Sequence, residues 1–128
     1  MNPSLRIRQI KETCIYSRDL ESMKAFYEGL LGLEIINYLP GKHIFFRAGT
    51  SVLLCFNPDD SRLKKSPPGH YAEGKYHFAF EVAHGDYETH KIAIAQKEIS
   101  GFDCIERLRA TNPKQVTQSL VPQWLGIE

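Results

Sequence analysis

No apolar run in this sequence approaches the roughly 20 residues that a membrane-spanning helix needs. Its first ten residues, Met1 to Ile10, carry two arginines but no h-region of a secretory signal. Cysteine is scarce: Cys14, Cys55 and Cys104 are odd in number and far apart, with no C-x-x-C pair. Each sits in an apolar stretch, where a free thiol packs as a small hydrophobe. An excess of one charge is also missing, since 16 Lys+Arg against 15 Asp+Glu leave a formal +1. That balance removes any general electrostatic drive toward nucleic acid or an anionic membrane. Lys64-Lys65 is a short solvated pair. There is no P-loop, G-x-G-x-x-G or G-x-S-x-G, so nucleotide-binding and serine-hydrolase readings lack a basis. A cytoplasmic protein of a reducing compartment is expected, with no nucleic-acid or membrane partner.

What is present suffices for one ordinary domain. The 128 residues are 42% hydrophobic, with seven Phe, six Tyr and one Trp, enough apolar material to exclude a disordered chain. Leu20, Met23, Phe26, Tyr27, Leu30 and Leu31 recur at helical spacing and predict a helix over Leu20–Leu31. Asp19 is placed to cap its first turn and Gly32 to end it. Arg8–Ser17 reads as a strand with Ile10, Glu12, Cys14 and Tyr16 on one face. Leu33–Leu39, His43–Ala48 and Ser51–Phe56 read as three more, divided by Pro40-Gly41 and Gly49-Thr50. Residues 8–56 thus spell β-α-β-β-β.

Residues 57–74 are polar and hold three prolines, the pattern of a connector or a flap over a site. The pattern then restarts. Lys75–Val82 alternates as a strand, Asp86–Ile99 follows as a less regular helix, and Phe102–Leu108 as another strand. Arg109–Gln118 is polar and weakly patterned. Glu12 precedes the cap Asp19 by seven positions, and His77 precedes Asp86 by nine. Each is a polar residue on the first strand of its unit, facing away from the helix. Two modules therefore bring an acid and an imidazole toward a shared concave surface.

These segments resemble the vicinal-oxygen-chelate superfamily (glyoxalase, bleomycin-resistance and extradiol-dioxygenase proteins). The likeness is carried by Arg18-Asp19-Leu20, Lys24-Ala25-Phe26-Tyr27 and Leu31-Gly32-Leu33. It continues in Val52 to Pro58 and in Gly74 to Val82, and spans about residues 8 to 108. The resemblance implies an α+β fold of paired βαβββ modules forming a curved mixed sheet around a concave site, the second divergent at its C-terminus. On this view residues 1–128 form one glyoxalase-like domain: a module at about 8–56, the connecting loop 57–74, and a module at about 75–128. It implies a homodimer and a small-molecule ligand. It also implies a divalent metal ion (Zn, Mn, Fe, Ni or Co) held by first- and fourth-strand positions.

Carried onto this chain, the first-strand ligands are Glu12 and His77, and the last is Glu128, reached from Pro122 at the family's spacing. Val121 and Trp124 stand where the family pattern has Asp and Gly, and the fourth-strand position of module one falls near Leu54, which cannot ligate. One imidazole and two carboxylates would suit Lewis-acid chemistry on vicinal oxygens more than oxygen activation. Without the metal, Glu12 is a salt-bridged strand carboxylate, with Arg8 for example, and His77 a core histidine.

Glu81 shares the His77 face and is the candidate general base, or else a rim carboxylate. Tyr16, Arg47 and His70 are the candidate substrate contacts: a hydroxyl donor, a bidentate anion holder and a loop imidazole. The ordinary alternatives are a cavity-wall ring, a surface arginine and a solvated histidine. Two functions follow from the resemblance. One is a metal-dependent lyase, isomerase or dioxygenase acting on vicinal oxygens. The other is a metal-free small-molecule binding protein of the bleomycin-resistance type.

Overall fold

The computed structural model describes residues 4–66, 68–74, 78–96, 102–105 and 117–122, and the chain divides into two compact units, 1–71 and 72–128. In the first unit β1 (Glu12–Tyr16) leads to helix α1 (Leu20–Lys24), which continues as a π-helical turn over Ala25–Leu30. Strands β2 (Glu34–Leu39), β3 (His43–Ala48) and β4 (Ser51–Phe56) follow. Their order is β1-β4-β3-β2, with β1 parallel to β4 and the other pairs antiparallel. This mixed sheet with helices on one side is the expected α+β architecture.

The sheet is amphipathic in the period-2 sense, but both faces are apolar in part. Ile15, Leu53, Cys55, Ile44 and Phe46 point to the helix side and are buried together with Leu20, Met23 and Tyr27. Tyr27 has no exposed surface, and its ring centroid lies 5.3 Å from that of Phe46. The helix starts where Asp19 accepts from the Ser22 amide at 3.0 Å. It does not stay α-helical as its spacing predicts. Leu31 N donates to Phe26 O at 3.0 Å, five residues back, and the widened turn carries Tyr27 against the sheet. Gly32 closes it at φ 76°, a conformation that costs glycine nothing.

Two boundaries differ from the expected ones for clear reasons. β1 begins at Glu12 rather than Arg8 because its partner β4 begins only at Ser51. Residues 9–11 instead lie along the β3–β4 turn, with Ser51 Oγ donating to Ile10 O and Val52 N to Lys11 O, both at 2.9 Å. The connector is also not all loop. Pro58–Ser61 forms helix α2, capped by Asn57 Oδ1 on the Asp59 amide at 3.0 Å, with Pro58 in the first turn.

In the second unit β5 (Phe80–Ala83) runs through a 3-10 turn (His84–Asp86) into α3 (Tyr87–Gln96), then β6 (Phe102–Ile105) and β7 (Thr117–Pro122). The sheet order is β5-β7-β6, antiparallel throughout. The expected strand over Lys75–Val82 is thus a strand from Phe80, with Lys75 to His77 outside the described residues. β7 falls partly in the segment whose weak pattern gave no strand signal. Among the described residues no helix is long and apolar enough to cross a membrane.

Candidate functional site

The face of the first sheet opposite α1 can be laid out row by row from the strand registers. Glu12, Val52, Arg47 and Glu34 form one end; Cys14, Leu54, Phe45 and Asn37 the middle; Tyr16, Phe56, His43 and Leu39 the other end. A register shift between Ile35 and Asn37 turns the odd-numbered half of β2 onto this face. One end is charged and exposed, with Glu12 and Arg47 both open to solvent. The other is aromatic and covered by the segment that follows β4.

That aromatic end is tightly specified. Tyr16, only 8% exposed, and the half-buried His70 meet at 2.8 Å between the hydroxyl and Nδ1. His70 also packs edge-on against Phe56, centroids 4.6 Å apart, and Phe56 lies 5.4 Å from Phe45. His43 stacks flat on Phe45 at 4.1 Å and 8°. Its Nε2 donates to Asn37 Oδ1 at 2.6 Å, which leaves Nδ1 buried without a hydrogen-bond partner. Burial lowers the His43 pKa, as do the nearby Lys64 and Lys42 charges, with Asp60 opposing. The neutral form of the ring is thereby favoured relative to a free imidazole.

The candidate residues separate accordingly. Tyr16 and His70 are brought together. Arg47 is on the same face but about 13 Å along β3 from the His43 row, at four strand residues' rise. Glu12 shares the Arg47 row, across β4 from it. Glu81 is exposed on β5 of the second unit, paired in register with Ser119. His77 and Glu128 lie outside the described residues. His43 and Asn37 were not among the candidates. The sequence signal for His43 is the His43-x-Phe45-x-Arg47 alternation; Asn37 has none, since it reaches this face through the register shift in β2.

On the first strand of this face the carboxylate is Glu12, with Val52 beside it in register and Leu54 on the fourth strand; Glu34 ends the same row beyond Arg47. The neighbouring Cys14 thiol has its pKa raised by partial burial of the sulfur and by the Glu12 charge, with a Tyr16 hydrogen bond acting the other way. Among the described residues no three His, Cys, Asp or Glu side chains converge. A resident divalent ion takes three or four donors from the protein; of the three expected ligands the described residues include Glu12, while His77 and Glu128 lie outside them.

A model of the Glyoxalase/Bleomycin resistance protein/Dioxygenase superfamily matches residues 9–95. The chain is similar to a lactoylglutathione lyase from Agrobacterium tumefaciens, at 28% identity over 95% of this chain and 92% of that one, TM-score 0.71. It shares its fold with a glyoxalase/bleomycin resistance protein/dioxygenase from Nocardioides (18% identity, 79% and 76% coverage, TM-score 0.58). The same holds for an integron cassette protein from the mobile metagenome of a Halifax Harbour sewage outfall (17%, 94% and 96%, TM-score 0.65). No curated protein matches the sequence.

Proposed function

Since this chain belongs to the glyoxalase/bleomycin resistance protein/dioxygenase superfamily, we propose that it is a small-molecule binding protein of that superfamily. Its ligand would lie on the open face of the first sheet, held without a resident metal. One observation carries this reading: the first-strand carboxylate of that face, Glu12, stands beside Val52 with Leu54 on the fourth strand, while the Tyr16–His70 pair and a floor of Phe45 and Phe56 are built at its other end. Such a surface suits a planar apolar body with a polar group for the tyrosine–histidine pair. Arg47 and Glu12 at the exposed end would meet whatever charged groups the ligand carries. Members of this superfamily commonly act as dimers on small molecules, and a homodimer is part of the proposal.

The decisive experiment is elemental analysis of protein purified without chelators, paired with thermal unfolding in added Zn, Mn, Fe, Ni or Co. Less than about 0.1 metal per chain and no rise in midpoint support the reading. Saturating binding, at 100 times Kd, would add about 2.7 kcal/mol and refute it.

The second reading is a metal-dependent lyase or isomerase acting on vicinal oxygens. It is favoured by the exposed Glu12 on the first strand and by the 28% identity to a lactoylglutathione lyase. It requires His77 and Glu128 as further ligands, with Glu81 as base. Formation of lactoylglutathione from the methylglyoxal–glutathione adduct tests it directly.

A further inference from the structure

The segment after β4 is held in place by contacts whose joint effect falls on one side chain. Ser61, at the end of α2, has no exposed surface, yet its hydroxyl is not spent on its own helix. Ser61 Oγ donates to His70 O at 2.6 Å, and His70 N donates back to Ser61 O at 3.1 Å. These two hydrogen bonds close residues 61–70 into a loop with a fixed base. Gly69 makes the closure feasible: a Cβ there would collide with the Arg62 carbonyl oxygen and sit 3.1 Å from that of Lys64.

α2 is tied in turn to the sheet. Asn57 N donates to Lys42 O at 2.8 Å and Asn57 Nδ2 to Gly41 O at 2.9 Å. Arg18, two residues past β1, grips both oxygens of Asp59 at 3.0 and 3.1 Å. The path from β1 through Arg18, Asp59, Ser61 and His70 returns to β1 at Tyr16.

We propose that Ser61 and Gly69 are the positioning residues of this site, holding the His70 imidazole on Tyr16 and Phe56 before any ligand arrives. The segment is a preformed wall of the ligand site and not a lid. The role assigned to that wall rests on the small-molecule reading above, but its geometry is testable in the ligand-free protein. A wall already in place spares the ligand the ordering cost of a mobile loop.

The test is NMR on the full chain without ligand. Long-range proton–nitrogen correlation reports the two ring nitrogens of His70, and hydrogen exchange reports its amide. The Tyr16→Phe variant gives the ring signature of a His70 that has lost its hydroxyl partner. Ser61→Ala and Gly69→Ala should move the His70 ring to that same signature, and Ser61→Thr should restore the original one. In Ser61→Ala the His70 amide should exchange about tenfold faster, the factor one hydrogen bond supports. An unchanged ring signature in Ser61→Ala, with Tyr16→Phe clearly shifted, overturns the proposal. If both alanine variants fail to fold, the original protein decides. A His70 amide exchanging within about threefold of its unstructured rate refutes the closed loop; protection of tenfold or more upholds it. Neither outcome depends on whether a ligand or a metal is later found.

Discussion

Removing the Tyr16 hydroxyl should weaken the first unit by a small, well-defined amount. The bond to His70 Nδ1 is 2.8 Å long, with Tyr16 8% exposed and His70 half-buried. A neutral hydrogen bond of this kind contributes about 0.5–1.5 kcal/mol net, because both partners would otherwise bond to water. Here water can reach the histidine after the hydroxyl is gone, which puts Tyr16→Phe near the lower end, about 0.5–1 kcal/mol. The rings also touch edge to face at 5.7 Å, so a single variant mixes two effects. A double-mutant cycle of Tyr16→Phe and His70→Phe keeps both rings and removes only the polar pair. Urea unfolding followed by circular dichroism should give a coupling of about 0.5–1 kcal/mol between the two substitutions. A coupling below about 0.3 kcal/mol, with both single variants folded, would show that the pair contributes nothing beyond ring packing.

Three further outcomes are expected. The His43 pKa lies below its unfolded value, so folding favours the neutral ring: stability should be full above about pH 6.5 and decline as pH falls through that value toward the folded pKa. His43→Gln should flatten that slope in urea midpoints between pH 8 and 5, and an unchanged slope refutes the assignment. Cys55 is sealed in the core, with burial pushing its thiol up to about 12; in the native protein at pH 8 it should alkylate at least about a hundredfold more slowly than in the unfolded chain. Peptide mapping reads that ratio, and similar rates would contradict the packing. Leu54→Glu places a carboxylate in a half-buried seat beside Cys14 and should cost about 1–2 kcal/mol without metal. Millimolar Zn or Mn should recover part of that loss, and recovery as large in the original protein would show that it already binds the ion.

The first module was legible because its signals are local. Asp19 and Gly32 mark the helix ends, and strand alternation placed β3 and β4 at their observed limits. The π-helical turn was not legible, because the same apolar spacing serves an α-helix until Tyr27 meets Phe46 across the core. α2 is signalled only by Asn57-Pro58, a capping residue followed by a first-turn proline, within an otherwise polar stretch that reads as loop. Within the site, alternation puts Glu12 and Tyr16 on one face of the first strand, and the strand registers add Arg47 to that face. It could not show that the wall of the aromatic end comes from a residue 54 positions downstream of Tyr16, since that depends on the Ser61–His70 closure.

The strand orders of the two units are related. In the first, β4 sits between β1 and β3, parallel to one and antiparallel to the other, so β1 and β3 run in opposite directions. In the second, β5 pairs directly and antiparallel with β7, in the order first, third, second. This is the first order with its last strand removed and the gap closed. Among the described residues no strand lies between β5 and β7. In the first unit the equivalent strand is present but offers Leu54. The Tyr16–His70 wall depends on neither strand position, and it is the part of the open face on which the proposed metal-free binding rests.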